Sequence, residues 1–596
     1  MKVLESTPER YDRGIGLLSR GRIQQVYDRI AELAAGPGRQ VLDLGCGTGA
    51  VAVACAARGA RATGLDRDAG MLEVARARPV PRGGGSLRWI QASAAELEDH
   101  FGPDSLDAVV SCLAMSELSL DEQRYALKTI ATCLVPGGDL VLADEVVPTE
   151  RWRRVAHRLA RAPLAALRAD PDHDPGRGRS AGSGSQGRLH RAVRGLPRRR
   201  HLPHPARPKA RVSTFLADLR DLVLRALPHR APTGLVRLGD PGRASPVLLT
   251  GNFTLTVGRL RRTLRGRDAW LLCADSRGIN VWCAAGGGHL THHDVISVLR
   301  TSGIGEQVDH HELVLPQLAA TGVERPAITD ATGWQTRWGP AHMEDLPAFL
   351  DRGAHSRRSD RVVRFPARER AEMASMWALP MVLLSTPLVG WLAGWPLALA
   401  AAVAVLCTVF GLFLALPWVP VVGGRRWLSY AAFALPSIGL GAGLLLLLAA
   451  TSTPHLLGLG GLVLVAVGVL SLDLAGTTPW YGSTINTFHN QAKVELVSER
   501  CTGAADCVLV CPRDVLVMDG HAHKVTIARP EQCIQCGACI VQCPTDALRF
   551  RYQDGRVAEA PTVRSTRMNM LGRRTVAVKG TVRRGSDGPD QGAPGA

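Results

Sequence analysis

Two long stretches without charged residues set the first division of the chain. Residues 373–424 contain no Asp, Glu, Lys or Arg, and residues 427–472 repeat this pattern with a polar break at residues 451–455. A membrane-spanning helix needs roughly 20 apolar residues, so each stretch accommodates two helices. The pattern predicts a transmembrane domain of four helices over residues 373–476.

Before this region, strand and helix patterns alternate as they do in α/β units. In the first unit, residues 39–44 form a strand that leads into a glycine-rich turn and an alanine-rich helix, and residues 62–65 form a second strand that ends at Asp66. Residues 107–111 form a fourth strand, and residues 134–142 lead into a fifth. Glycines let a ligand lie against the backbone, and an acid one strand later can accept ribose hydrogen bonds. We therefore expect a nucleotide-type ligand at this turn.

The second α/β unit contains a cysteine among small residues. Residues 269–274 form a buried strand, and Thr291 with Asp294 three positions later marks the start of a helix. Cys283 lies between these elements, at a junction where backbone N–H groups favour a thiolate. The spacing leaves two interpretations open: a sulfur that a large group approaches, or a small buried cysteine packed beside Trp282.

Composition supports a chain of several domains. The 596 residues are 46% hydrophobic with a mean hydropathy of +0.04, which is high for a soluble protein and agrees with a membrane portion. The net charge of +18 does not indicate nucleic-acid binding, because the arginines concentrate in a linker and beside the apolar region. Seven of the 14 cysteines follow residue 500, which favours iron–sulfur clusters in a reducing compartment.

The first unit, residues 1–167, resembles class I S-adenosylmethionine (SAM)-dependent methyltransferases of the small-molecule kind. The resemblance implies a Rossmann-like fold, and the dehydrogenase interpretation is disfavoured because its fingerprint spacing is absent. The SAM contacts that it implies are Asp43, Gly45, Gly47 and Gly49 around the methionine portion, Asp66 on the ribose, and Ala94 or Glu96 near the adenine. The basic, Gly- and Ser-rich residues 168–212 cannot bury enough apolar surface to fold. They are either a disordered linker or the product of a shifted reading frame.

The second unit, residues 213–365, resembles the corrinoid protein of the mercury-methylation pair. The resemblance is carried by residues 280–286 and continues through residues 245–252, 313–318, 338–340 and 345–350. It implies an α/β corrinoid-binding domain in which Cys283 is the catalytic residue and the lower axial ligand of the cobalt. The corrinoid contacts that it implies are Asn280, Trp282, Cys283, Ala284, Ala285 and Gly286. Gly287 departs from the family, which usually carries Lys there.

Residues 490–556 contain two similar cysteine runs, which predict an α+β two-cluster ferredoxin. In such ferredoxins the last cysteine of each run binds the other cluster. This rule assigns one [4Fe–4S] cluster to Cys511, Cys533, Cys536 and Cys539, and it leaves Cys501, Cys507 and Cys543 for the other, with Ala504 in the fourth position. Three thiolates suit a [3Fe–4S] cluster or a second [4Fe–4S] cluster with a labile iron. The cysteine–proline endings disfavour a zinc site.

This unit resembles the ferredoxin partner of the mercury-methylation pair. That partner usually ends with a cysteine pair, whereas here no cysteine follows Cys543. Residues 557–596 are predicted to be a disordered tail. Arg425 and Arg426, together with the arginines before the first span, belong on the cytoplasmic side, and an even number of spans then places both termini there. The N-terminus lacks the apolar segment of a signal peptide, so we expect a multi-pass protein of the cytoplasmic membrane.

Together these units predict a membrane-bound methyltransferase. SAM delivers a methyl cation, which a two-electron-reduced cobalt can accept; if the methyl then leaves to Hg(II) as a carbanion equivalent, the ferredoxin unit must return two electrons. The expected partners are the lipid bilayer, SAM or a separate methyl-donor protein, a low-potential electron donor, and Hg(II) as substrate. Two alternatives stay open: a relative that methylates a non-mercury acceptor, and a membrane electron-transfer or corrinoid-carrier protein without catalysis.

Overall fold

The computed structural model describes residues 8–79, 84–144, 229–419, 426–472, 492–552 and 555–568. The predicted linker, residues 168–212, and residues 569–596 of the predicted tail lie outside the described residues.

The first unit is a parallel sheet of five strands with helices on both faces. Its strands are β1 (Gln40–Leu44), β2 (Arg61–Asp66), β3 (Ser86–Gln91), β4 (Leu106–Cys112) and β5 (Leu134–Ala143), in the order β3-β2-β1-β4-β5. Its helices are α1 (Pro8–Leu18), α2 (Ile23–Ala34), α3 (Ala50–Ala56), α4 (Ala69–Arg76), α5 (Leu97–His100) and α6 (Leu120–Cys133), with a 3-10 turn at Ala94–Glu96. The strands before and after the glycine-rich turn are those that the sequence predicts.

The second unit is a second five-stranded sheet, with one antiparallel edge. Its strands are β6 (Gly234–Leu238), β7 (Val247–Gly251), β8 (Ala269–Ala274), β9 (Glu312–Leu315) and β10 (Gln335–Trp338), in the order β10-β9-β7-β8-β6. Its helices are α7 (Thr254–Thr263), α8 (Val281–Gly286), α9 (His292–Thr301), α10 (Arg325–Thr332), α11 (Leu346–Asp351) and α12 (Arg358–Arg361), with a 3-10 turn at Gln317–Thr321. Strand β8 is buried along its whole length, as predicted, and the Thr291–Asp294 capping box begins α9.

Four helices follow that are long and apolar enough to cross a membrane, as the sequence predicts. They are α13 (Ala367–Ala393), α14 (Trp395–Ala415), α15 (Arg426–Leu447) and α16 (Thr453–Leu472). The first begins six residues before the uncharged stretch, because a charged first turn with Arg368, Glu369, Arg370 and Glu372 extends it towards the second unit. Large apolar side chains such as Trp391 and Leu447 are exposed on the bundle, which suits a lipid environment.

The last unit is a small α+β domain. Its strands are β11 (Ala492–Leu496), β12 (Leu516–Asp519), β13 (Lys524–Ile527), β14 (Leu548–Tyr552) and β15 (Val557–Ala558), and its helices are α17 (Asp506–Val510), α18 (Ala538–Val541) and α19 (Ala560–Ser565). Residues 557–568 correct the prediction that a disordered tail starts at residue 557. Strand β15 pairs with β14, and Ala560 and Val563 are buried, so this segment completes the domain.

The last unit packs against the second unit although four helices separate them in the chain. Asp514 pairs with Arg358, and the backbone N–H of Val363 donates to the carbonyl of Pro512 at 2.9 Å. Gln542 Nε2 donates to the carbonyls of Ala320 and Val323, both at 2.8 Å. The two units therefore lie on the same side of the helical bundle.

Candidate active site

Two acids, the buried Asp43 and the half-buried Asp66, occupy the carboxyl edge of the first sheet. Asp43 is 1% exposed, and its Oδ2 accepts a hydrogen bond from the backbone N–H of Ala52 at 3.0 Å. Asp66 accepts from the backbone N–H groups of Gly47 and Asp68, both at 2.8 Å. The last residue of β2 thereby fixes the glycine-rich turn that follows β1. The acids and the turn that the sequence analysis selected are separated along the chain, and the structure places them beside one another.

The environment of these acids favours a cation. Burial, with repulsion from Asp66, raises the pKa of Asp43 to about 7 although Ala52 donates to it. Burial also raises the pKa of Asp66, against the hydrogen bonds from Asp68 and Gly47. A positively charged ligand relieves such strain on buried carboxylates. SAM carries a sulfonium and an ammonium group, so the chemistry of the acids fits it.

Two of the three glycines of the turn are required by the packing of the protein itself. Gly45 has φ +70°, and a Cβ there would lie 2.3 Å from the Cβ of Ala114. Gly49 has φ +79°, and a Cβ there would lie 2.3 Å from the ring of Trp89. The sequence argument, that glycine leaves room for a ligand, therefore explains only part of this motif. Ala94 opens the 3-10 turn at the same edge and is half-buried.

The carboxyl edge of the second sheet holds a half-open cavity of about 210 Å³. Apolar side chains from the ends of β7, β9 and β10 and from α7 form most of its wall. Asn280, Val281 and Trp282 line it at the start of α8, and Arg259 and Glu372, an ion pair at 2.7 Å, lie at the side that meets α13. Open α/β sheets bind ligands at this edge.

Thr250 shows that this cavity suits a ligand with polar groups. Thr250 is 1% exposed and is one of the residues that line the cavity, and its buried hydroxyl has no hydrogen-bond partner in the described part of the chain. Buried hydroxyls nearly always have a partner, so the unmet hydrogen bond indicates a ligand atom. A corrinoid offers apolar ring edges and amide side chains, which fit this wall, and the open side lets a group larger than the cavity extend outwards.

Cys283 occupies the third position of α8. The side chain of Asn280 caps this helix by accepting from the backbone N–H of Cys283 at 2.9 Å. Cys283 is half-buried and packs against the core of the second unit, next to Trp282, but the residues that line the cavity in the described structure do not include it.

Ala284, Ala285 and Gly286 lie on the buried side of α8. A Cβ on Gly322 would lie 2.2 Å from the carbonyl oxygen of Ala285, and a Cβ on Gly286 would lie 1.7 Å from Cε of Met568. These small residues therefore allow close packing of protein on protein. The assignment of these three residues as corrinoid contacts stays a prediction.

Cys511, Cys533, Cys536 and Cys539 come together in the last unit, as the ferredoxin rule assigns them. Burial raises the pKa of Cys539, and the neighbouring thiols of Cys511, Cys536 and Cys533 raise it further. Cys511 Sγ also accepts from the backbone N–H of Val515 at 3.3 Å. Such N–H···S bonds suit the thiolates of an iron–sulfur cluster.

The second cysteine set also converges. Burial raises the pKa of Cys507 to about 12, with Cys543 and Cys501 adding to the shift. These three side chains surround a small cavity that Ala504 also lines. Cys543 Sγ accepts from the backbone N–H of Ala547 at 3.2 Å and so repeats the arrangement at Cys511. Nothing in this arrangement decides between the two cluster types.

Across the described residues, no three His, Cys, Asp or Glu side chains are close enough to hold a single metal ion. Because each cysteine of an iron–sulfur cluster binds a different iron, this finding does not test the predicted clusters.

Sequence reasoning missed the contacts of the tail segment. The backbone N–H of Met568 donates to the carbonyl of Gly286 at 2.7 Å, and Arg567 pairs with Asp68 of the first unit. This segment therefore touches the helix of Cys283 and the edge of the SAM-type site at once. No local signal in residues 557–568 could have indicated these long-range contacts.

Three protein families match separate parts of the chain. Residues 41–138 match a methyltransferase domain, residues 225–350 match the CO dehydrogenase/acetyl-CoA synthase delta subunit, and residues 500–547 match a 4Fe-4S dicluster domain. The chain is a fusion of these three kinds of domain. It carries a methyltransferase, as predicted.

The curated relatives match one segment of the chain. The gamma subunit of the acetyl-CoA decarbonylase/synthase complex of Methanopyrus kandleri is 38% identical over 127 residues, which are 21% of this chain and 27% of that subunit. The gamma subunit of Archaeoglobus fulgidus is 34% identical over 127 residues, with the same coverage. The match thus spans about a quarter of the length of these relatives. The family model carries the name of the delta subunit and the relatives that of the gamma subunit, so the subunit type is not decided.

Solved structures are also similar to part of the chain. The YcgJ protein of Bacillus subtilis is 27% identical, covers 25% of this chain and 59% of its own, and has a TM-score of 0.20. A SAM-dependent methyltransferase of Listeria monocytogenes is 23% identical, covers 20% of this chain and 54% of its own, and has a TM-score of 0.17.

Proposed function

We propose that this chain is a membrane-bound methyl-transfer protein that uses SAM, a corrinoid and iron–sulfur clusters. The observation that carries the proposal is the position of α8. Trp282 on this helix lines the cavity, while Ala284 and Ala285 share one hydrophobic core with Cys536 and Ile534 of the last unit. A group in the cavity and the cluster that Cys536 would bind then lie on either side of one short helix.

In this proposal a separate set of residues binds each cofactor. Asp43 would bind the cationic part of SAM, Asp66 its ribose hydroxyls and Ala94 its adenine. Thr250, Asn280 and Trp282 would hold the corrinoid. Cys283 is the proposed axial ligand. A bound corrinoid supplies a cobalt centre that accepts and passes on methyl groups, and its axial ligand tunes that chemistry. The seven cysteines of the last unit would hold the clusters that supply electrons.

The acceptor is the least constrained part of the proposal. By the resemblance stated above we propose an electrophilic metal ion, Hg(II), to which the methyl leaves as a carbanion equivalent. This route consumes two electrons per methyl, which gives the iron–sulfur unit its purpose. Gly287 departs from the mercury-methylation pair and favours, as the alternative, a non-mercury acceptor.

The proposed location is the cytoplasmic membrane, with the α/β units and the iron–sulfur unit on the cytoplasmic side. The contacts of Asp514 with Arg358 and of Pro512 with Val363 support one common side for the units before and after the helices. The arginines that precede α13 support the cytoplasmic side.

The deciding experiment compares Cys283→Ser with Cys273→Ala in the full chain, purified in detergent and loaded with corrinoid. Cys273 is a buried cysteine of the same unit, in β8, so it is a matched control. We expect Cys283→Ser to change the absorption spectrum of the bound corrinoid and to lose methyl transfer, while Cys273→Ala keeps both. An unchanged spectrum and unchanged turnover in Cys283→Ser would overturn the proposal.

The acceptor is tested by counting electrons in the wild-type chain supplied with SAM, corrinoid and Hg(II). Two electrons per methylated product support carbanion transfer to the metal. Near-zero consumption with a methylated thiol or amine supports the non-mercury alternative. Loaded cofactors without any methylated product would point to a carrier.

A further inference from the structure

Helix α9 of the second unit lies against the carboxyl edge of the first sheet. Nδ1 of His293 lies 2.9 Å from Oε2 and 3.1 Å from Oε1 of Glu96 and donates to this carboxylate. One turn further along, Ser297 donates to Glu122 at the start of α6 at 2.5 Å. Arg300 follows after another turn, so these three residues form one face of α9; beside it, Arg67 of the first unit pairs with Asp294 and Asp275.

Two of these residues hold the 3-10 turn Ala94–Glu96. Arg300 donates to the carbonyl oxygen of Ala95 at 2.8 Å and pairs with Asp99 just beyond the turn, also at 2.8 Å. Glu96 Oε2 accepts from the backbone N–H of Ser93 at 2.8 Å as well as from His293. The carboxylate that closes the turn is therefore the one that His293 orients.

The Glu96–His293 contact is buried and electrostatically favourable. Glu96 is 7% exposed and His293 is 6% exposed. Burial alone would raise the pKa of Glu96, but the hydrogen bond and charge of His293, together with bonds from Ser93, lower it to about 2. A buried carboxylate without its partner is costly, so removing the imidazole disturbs the conformation of the turn.

The turn occupies a place where a ligand is expected. It follows β3 at the same edge as Asp43 and Asp66, and doubly wound sheets bind nucleotides at this edge. Ala94 begins the turn and is the proposed neighbour of the adenine. An adenine lying there would contact a loop whose polar groups are anchored from another domain.

We infer that His293 and Arg300 are positioning residues for SAM: the second unit fixes the turn that receives the adenine, so SAM binding depends on the docking of α9. This inference rests on one part of the proposed function, namely that the first unit binds SAM. It adds that the first unit acquires its full affinity for SAM only when joined to the second unit, which couples methyl-donor binding to the domain that would use the methyl group.

The test measures the dissociation constant of SAM by calorimetry on the full chain in detergent, without corrinoid. We expect His293→Ala and Arg300→Ala each to weaken SAM binding by roughly tenfold, the effect of losing one charge-assisted contact. Ser297→Ala is the matched control, because Ser297 lies on the same face of α9 but contacts α6 and not the turn. It should stay within roughly twofold of wild type.

A rescue variant distinguishes a role of His293 in positioning the turn from a general loss of structure. The amide nitrogen of Asn can donate from nearly the place of His Nδ1, so His293→Asn should restore most of the affinity that His293→Ala loses. Hydrogen exchange of residues 93–96 should increase in the Ala variants and return to wild-type protection in His293→Asn. If His293→Ala fails to fold, Arg300→Ala provides the same test.

The remaining outcomes distinguish failure of this inference from failure of the proposed function. If wild type binds SAM and both Ala variants bind it equally well, the inference is wrong and the proposed function stands. If Ser297→Ala weakens binding as much as the other two, the effect belongs to docking in general, and the assignment of the turn is overturned. If wild type binds no SAM at all, the SAM part of the proposed function fails first.

Discussion

The two α/β sheets of this protein place their candidate ligand sites at the same edge but form them from different kinds of side chain. The first sheet places two carboxylates, the buried Asp43 and the half-buried Asp66, beside a tight glycine-rich turn. The second sheet places an apolar cavity there, with Thr250 as a buried hydroxyl that lacks a partner among the described residues. The difference teaches that topology selects where a ligand binds, whereas the side chains at the strand ends select its charge and size.

The largest expected effect concerns the acids of the first edge. The pKa of Asp43 rises from 3.8 to about 7 on folding, so between these values the folded chain binds a proton that the unfolded chain does not. The free energy of unfolding should therefore fall, by roughly 4 kcal/mol, as the pH rises through this range. Hydrogen exchange of the β1 amides between pH 4 and 8 would measure this change in the full chain without SAM.

Asp43→Asn should flatten this pH dependence, while Asp28→Asn, at a half-exposed acid on α2, should leave it unchanged. If the free energy of unfolding depends on pH equally in wild type and in Asp43→Asn, burial of this carboxylate does not distinguish the first edge from the second.

Gly49→Ala should destabilise the first unit by roughly 3 kcal/mol, from the left-handed backbone and the contact with Trp89 together. Gly137→Ala is the control: it has φ +85° but nothing within 4 Å of an added Cβ, so it should cost roughly 1 kcal/mol. Hydrogen exchange should report both losses in the first sheet and none in the second. A similar cost for both variants would mean that the glycine-rich turn is not constrained by packing.

Asp66→Asn should weaken SAM binding roughly 30-fold, because it removes a charge and one of the acceptors that fix Gly47. Asp68→Asn is the matched control, since Asn caps the N-terminus of α4 as well as Asp does. Calorimetric titration of the full chain with SAM distinguishes the two. Unchanged affinity in Asp66→Asn would contradict the proposal that Asp66 contacts SAM.

Thr250→Val should stabilise the ligand-free second unit by roughly 1 kcal/mol, because it removes a buried hydroxyl without a partner. Thr336→Val should cost a similar amount, since that buried hydroxyl accepts from Arg325 at 3.2 Å. With corrinoid present, Thr250→Val should instead lower cofactor occupancy in the absorption spectrum. If ligand-free Thr250→Val is less stable than wild type, the hydroxyl of Thr250 is not an unmet hydrogen-bonding group that a ligand completes.

Much of the architecture could be predicted because it depends on local pattern. Hydrophobic periodicity indicated the strands that carry Asp43, Asp66 and Cys273, and the uncharged stretches indicated four helices. The repeat of cysteine–proline endings predicted which cysteines meet. The prediction was wrong at residues 557–568, where β15 and α19 form, because their stability comes from pairing with β14 rather than from their own sequence.

Long-range contacts join the first two units in a way that the sequence does not indicate. His293 buries its hydrogen bond to Glu96, and Ser297 donates to Glu122.

By itself, the sequence determined the kinds of unit, their order, the spans and the two cysteine sets, since each follows from spacing along the chain. Only the tertiary structure decided that residues of α9 form hydrogen bonds with the turn at Ala94–Glu96, that Met568 packs on the helix of Cys283, and that Thr250 lines a cavity. Those features join residues that are tens to hundreds of positions apart. Their geometry depends on how whole surfaces pack, and no local preference encodes it.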